Sequence, residues 1–196
     1  MSHLGFSQQL LTEKQQKLFK DEVRAKANST STIMSDFTQT KHIGMLDENM
    51  VSKGNLAFQA PDQILWKYIT PNPYKVVFKD EVLYVDSNGS KEAILLSRNK
   101  LFRSLNTLIA ASIRGDMFND DAFEMTYSAY NGYYLAKFIP KDKKLKRFVA
   151  SFELKFGNIS KEVTEVTIHE PNGDFTQIVF SNRKSNIKIA PKIFQH

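Results

Sequence analysis

Apolar positions along the chain change period once, early. Behind Thr12-Glu13-Lys14-Gln15, which has capping-box form, Leu18, Phe19, Val23 and Ala27 recur at helical spacing, so the pattern predicts a helix ending near Asn28. From Ile33 onward the period is two. Segments 33–43, 50–59, 63–69, 74–79, 82–86 and 91–96 read as strands rich in β-branched and aromatic residues. Between them stand the turn signals Pro61-Asp62, Pro71-Asn72-Pro73, Lys79-Asp80-Glu81 and Ser87-Asn88-Gly89-Ser90. Short strands at this spacing form antiparallel hairpins, because a parallel crossover needs a dozen or more connecting residues.

The alternation is interrupted between Asn99 and Arg114. There Leu101, Leu105, Leu108, Ile109 and Ile113 mark one stripe of an amphipathic helix, with Gly115 as its stop. Strand patterns resume at 122–129, 133–139, 148–156, 163–169 and 175–181, joined by Asn131-Gly132, Gly157-Asn158 and Pro171-Asn172-Gly173. Several carry a bulky apolar face: Phe148, Ala150, Phe152, Leu154 and Phe156 in one, Tyr134, Ala136 and Phe138 in another, then Val166, Ile168, Ile178 and Phe180. The expected fold is mainly β (α+β): one domain over 1–196, an incompletely closed antiparallel β-barrel of about eleven strands, with an N-terminal helix and an inserted lid helix. Two helices offer too little material to close the concave face, which predicts a greasy, partly unfilled interior. A simply packed core is the plainer alternative.

Composition narrows the chemistry. The 196 residues include 15 Phe, 7 Tyr and 1 Trp against only 8 Gly, favouring strands and large apolar surfaces over Gly-rich nucleotide loops. No apolar run approaches the ~20 residues of a membrane-spanning helix, so a protein integral to the membrane is not expected. With no Cys, disulfides, thiolate metal sites and Cys nucleophiles are excluded. His3, His42, His169 and His196 show no i, i+3 or i, i+4 pairing, and Asp116, Asp120, Asp121 and Glu124 lack EF-hand form. No G-x-S-x-G elbow, P-loop, G-x-G-x-x-G or H-E-x-x-H occurs. A catalytic reading therefore has no residues to stand on, and neither metal nor cofactor is expected. The net charge is +6, and the only dense basic block, Lys141-Asp142-Lys143-Lys144-Leu145-Lys146-Arg147, reads as a solvated loop between strands and not as a nucleic-acid site.

Three motifs in order carry a resemblance. Phe37-Thr38-Gln39, then Gly54-Asn55-Leu56-Ala57-Phe58-Gln59-Ala60-Pro61, then Leu65-Trp66-Lys67-Tyr68-Ile69-Thr70-Pro71 resemble the F-x-Q, G-x-(apolar)-x-(aromatic)-x-x-P and Trp-strand pattern of the periplasmic outer-membrane lipoprotein carrier (LolA-like) family. The hairpin Tyr74 to Tyr84 continues it; beyond residue 86 only element order supports the likeness. The resemblance implies a hydrophobic cavity under a helical lid that receives lipoprotein acyl chains, loading by an inner-membrane ABC transporter, and release to an outer-membrane acceptor. It also implies a periplasmic location after removal of a signal peptide, and a monomer.

Phe37, Leu56, Phe58, Trp66, Tyr68, Leu101, Leu105, Leu108, Ile109, Phe138, Phe152, Leu154 and Ile168 are the expected cavity residues. One departure stands out: where family members place a lid-tethering arginine before the proline of the second strand, this chain has Ala60, which leaves Lys67 or a neighbour to substitute. The tail after Asn182 reads as short and polar. Two alternatives remain at this stage: a non-catalytic lipid-binding or structural/interaction protein with a filled barrel, and a basic surface binder of nucleic acid or anionic lipid using Lys143, Lys144, Lys146 and Arg147.

Overall fold

The computed structural model describes residues 8–79, 82–87, 89–95, 117–118 and 120–195. The expected helix over 99–114, with Leu101, Leu105, Leu108, Ile109 and Ile113, lies outside the described residues. Helix α1 (Glu13–Asn28) forms as the pattern predicts, and its capping box is present: Thr12 accepts from the Gln15 backbone while the Gln15 side chain accepts from the Thr12 N–H at 2.9 Å. A two-residue strand, β1 (Gln9–Leu10), precedes it.

Eleven further strands follow in chain order: β2 (Thr32–His42), β3 (Met50–Gln59), β4 (Gln63–Thr70), β5 (Tyr74–Lys79), β6 (Val82–Ser87), β7 (Ser90–Leu95), β8 (Phe123–Tyr130), β9 (Tyr133–Pro140), β10 (Ser151–Gly157), β11 (Val163–His169) and β12 (Phe175–Ser185). All pair antiparallel in one twelve-stranded sheet of order β1-β8-β9-β10-β11-β12-β2-β3-β4-β5-β6-β7. The first long strand thus lies beside the last. The edges, β1 and β7, do not meet, so the barrel stays open.

Register shifts at Lys53/Gly54, Lys155/Phe156 and Ser181/Lys184 add local twist and curl the sheet. The Asn131-Gly132 turn joins β8 to β9, with Gly132 at φ +91°, a left-handed conformation that favours glycine.

Two expectations need correction. Phe148 does not begin β10: residues Leu145–Arg147 form a 3₁₀ turn in which Leu145 O accepts from the N–H of both Phe148 and Val149. Leu145 and Val149 consequently face the core, while Phe148 is turned outward and is 55% exposed. The tail, moreover, is not simply polar. Asn186, at φ +57°, accepts from Ser31 N–H and donates to Ser29 O, redirecting the chain across the convex side of the sheet. There Ile189 and Phe194 bury themselves against Ala57, Leu65 and Val77, apolar residues that strand parity points away from the concave face. Burying side chains of this size contributes about 1.5–3 kcal/mol each.

Candidate functional site: the concave face

Strand parity divides each strand's residues between two environments. On the convex side of β9–β12 the side chains form a charged ladder: Lys137 to Glu153 at 3.2 Å, Glu153 to His169 at 3.5 Å, and Lys155 to Glu165 at 2.7 Å. Such surface pairs contribute little stability. The concave side is mostly apolar, with Ser35 on β2 and Glu92 on the edge strand β7 among its polar members, and it separates into two clusters.

The first cluster, on β8–β11, is roofed by α1. Phe19, 2% exposed, meets Tyr134, Phe156, Tyr127 and Phe118 at ring-centroid distances of 4.9, 5.2, 6.0 and 6.1 Å. Val23 enters the same cluster with Phe138, Phe152, Leu154 and Phe156, all buried. Ion pairs fasten the helix at its margin: Lys26 and Arg183 both reach Glu162, at 3.1 and 3.4 Å, and Glu22 meets Lys161 at 3.0 Å. Of the expected cavity residues, Phe138, Phe152 and Leu154 therefore lie in a tightly packed half, with Phe123 edge-on to Phe138 and Phe152.

The second cluster, on β2–β7 and β12, differs in exposure. Ile33, Phe37, Leu56, Phe58 and Ile64 are buried at its base, whereas Trp66, Tyr68, Val76, Val85, Ile94 and Phe180 pack on it while only half buried. The aromatic rings interlock: Phe37 is edge-on to Trp66 at 4.9 Å and to Tyr68 at 5.0 Å, Trp66 lies 6.0 Å from Phe180, and Tyr68 stacks on Tyr74 at 4.2 Å. Gly54 makes this possible. A Cβ there would lie 2.7 Å from the Phe37 ring and would collide with the Lys67 carbonyl, so the glycine of the G-x-(apolar)-x-(aromatic) motif leaves room for Phe37.

The polar groups beside this cluster include the Tyr68 hydroxyl and the Gln39 amide, both neutral. Tyr68 donates to Gln39 Oε1 at 2.9 Å. Burial, then the neighbouring Tyr74, pushes the Tyr68 hydroxyl far above the ordinary tyrosine value, and burial raises Tyr127 likewise, so both stay uncharged at physiological pH.

Ile168 sits between the clusters, opposite Phe152 and Thr176. It lines a cavity of about 440 Å³ with Arg147, Phe148, Val149 and Thr176, where the concave face opens past the ends of β10 and β11. Lys67 cannot replace the family arginine. It alternates with Trp66 and Tyr68, stands exposed on the opposite side of β4, and cannot reach across the sheet to the interior. Ala60 is itself exposed just past β3. The expected cavity residues did not include Val76 and Val85, for which the β-branched alternation of β5 and β6 was the available signal, nor Phe180, which alternation places on an apolar face of β12.

The concave side is thus an open antiparallel half-barrel wall, largely aromatic and aliphatic and only partly buried. Residues 28–196 match the family described as outer membrane lipoprotein carrier protein LolA, and the chain belongs to that family. It is 25% identical over 198 residues to the outer-membrane lipoprotein carrier protein of Methylococcus capsulatus, covering 97% of this chain and 86% of that one. To the outer-membrane lipoprotein carrier protein of Francisella tularensis subsp. novicida it is 23% identical over 169 residues, covering 86% and 78%.

Among solved structures, a conserved protein of Thermus thermophilus superposes with a TM-score of 0.53 at 8% identity, covering 91% of both chains. The Pseudomonas aeruginosa MucA/MucB complex gives 0.53 at 12% identity, covering 91% of this chain and 60% of that one. At such identities these two likenesses show the fold alone. Among the described residues, no helix is long and apolar enough to cross a membrane.

Proposed function

We propose that this protein is a periplasmic carrier that holds the acyl chains of lipoproteins against its concave face and shuttles them from an inner-membrane ABC transporter to an outer-membrane acceptor, without catalysis and as a monomer. One observation carries the reading: the wall formed by Trp66, Tyr68, Val76, Val85 and Phe180 is half exposed, while the base beneath it is fully packed. Each acyl methylene laid on such a wall gains about 0.8 kcal/mol on leaving water. These five side chains carry no ionised group, so they themselves impose no desolvation cost on the chain. Membership of the carrier family supports a lipoprotein as the cargo.

In this reading Phe37, Leu56, Phe58, Trp66 and Tyr68 form the primary acyl surface, and Ile168 lines its mouth. Phe138, Phe152 and Leu154 form the rigid wall that α1 roofs, and Leu101, Leu105, Leu108 and Ile109 supply the lid. Trp66 is the chain's single tryptophan and stands on the acyl surface, so its emission reports occupancy directly. A fatty acid brominated along its chain should quench Trp66 saturably, and unlabelled fatty acid should reverse the quenching. No saturable quenching by any brominated lipid would leave the filled-barrel alternative.

A further inference from the structure

Large apolar side chains left exposed in this fold are not scattered. Of the eleven among the described residues, Met45, Leu46, Met50, Val51, Ile69 and Phe148 lie at one rim of the half-barrel, where β2, β4, β9 and β11 end and β3, β5, β10 and β12 begin. The loops of this rim adjoin one another: Gly44 N–H donates to Asp174 at 2.8 Å, His42 stacks on Phe175 at 5.0 Å, and Ala150 N–H donates to His169 O at 2.7 Å. Single exposed apolar residues need no explanation, but a ring of them at one end does.

The same rim carries the basic loop between β9 and β10. Leu145 and Val149 anchor it in the core, so Lys143, Lys144, Lys146, Arg147 and Phe148 all point to solvent around one tip. The carboxylate within the loop is engaged locally, since Asp142 accepts from the Lys144 and Leu145 N–H groups at 2.8 Å. Nearby, Glu170 lies 3.7 Å from Lys41 and Asp174 is held by Gly44. Asp120 and Asp121 precede β8, and Asp47 and Glu48 stand on the β2–β3 loop. Positive charge is therefore concentrated at the β9–β10 tip and not spread round the rim.

We propose that this rim docks on an anionic phospholipid bilayer: the lysines and Arg147 meet the headgroups, and Phe148, with Met45 across the mouth, enters the interface. Cations flanking an exposed aromatic suit the boundary between headgroups and acyl chains, where amphipathic side chains settle. The cavity of about 440 Å³ lies at this tip, with Arg147, Phe148, Ile168 and Thr176 in its lining beside the Glu170 carboxylate. Docking would therefore set the mouth of the concave face against the bilayer. The docking stands on the surface chemistry alone; its use in passing a chain into the groove rests on the carrier reading.

The test is flotation of the full chain with vesicles of phosphatidylcholine alone, or of phosphatidylcholine with phosphatidylglycerol. The protein should float with the phosphatidylglycerol vesicles, and less so as salt rises. Lys144→Glu with Lys146→Glu should lower partitioning by about 30-fold or more, while Trp66 quenching by brominated fatty acid stays unchanged. Phe148→Ser should lower partitioning by about tenfold. Equal binding to both vesicles, binding to neither, or partitioning unaffected by the charge reversals would overturn the proposal. Loss of fatty-acid quenching with flotation retained would instead count against the carrier reading alone.

Discussion

Replacing Val76 with Asp puts the carrier reading at risk most directly, because it places a charge on the acyl wall at a position the fold does not need to bury. Val76 stands between Trp66 on β4 and Val85 on β6, half exposed on the concave side. A carboxylate there keeps its water shell and holds about three methylenes of a bound chain away from the wall, at about 0.8 kcal/mol each. The sum, about 2.4 kcal/mol, weakens binding about 60-fold.

Val76→Thr, of nearly the same shape, exchanges one methyl for a hydroxyl and should weaken binding only about fourfold. Both variants are titrated with brominated fatty acid against Trp66 emission, and circular dichroism melts establish that each is folded. The fold should tolerate the change, since a polar substitution at a half-exposed strand position costs about 1 kcal/mol out of a total stability of roughly 5–15. Unchanged affinity in a folded Val76→Asp protein, or equal losses in the Asp and Thr variants, would refute the placement of the chain on this wall.

Two further outcomes are expected. Gly54→Ala must move Phe37 or the Lys67 backbone, as the added Cβ has no room, and should destabilise the fold by about 1–3 kcal/mol or more, read as a lower urea midpoint. Tyr68 and Tyr127 have hydroxyl values raised by burial, so their contribution to stability is complete below the ordinary tyrosine value of about 10 and is lost as pH rises beyond it; an ultraviolet titration should show these two tyrosines ionising only together with unfolding, and early reversible ionisation of all seven tyrosines would contradict it.

Elements whose causes are local were legible in the sequence. The capping box at Thr12 and Gln15, the Asn131-Gly132 turn and the period-two alternation of the strands each act within a few residues, and α1 and the eleven long strands stand close to where those signals put them. The one-sided apolar faces likewise made an apolar concave side visible before any geometry, whereas Trp66 and Tyr68 were singled out by the family-like motif of β4. Phe148 was misplaced because alternation continues through a segment that the backbone turns into 3₁₀, and hydrophobicity alone does not distinguish a strand from a turn anchored by Leu145 and Val149.

What the tertiary structure decided depends on contacts between residues far apart in sequence. Phe138 and Trp66 are both aromatic, yet which became sealed core and which open wall turned on where α1 came to rest, covering Phe138 and leaving Trp66 half buried. Ile189 and Phe194 look like stray residues in a polar tail until Asn186 sends them across the convex side onto Ala57, Leu65 and Val77. The gathering of Met45, Ile69 and Phe148 at one rim is of the same kind, since loops separated by scores of residues become neighbours only when antiparallel pairing brings alternate strand ends to one side. Periodicity specifies which face of a strand is apolar, because side-chain direction is a property of the local backbone; which apolar faces are then covered is a property of the assembled sheet, where each surface competes for partners supplied from elsewhere in the chain.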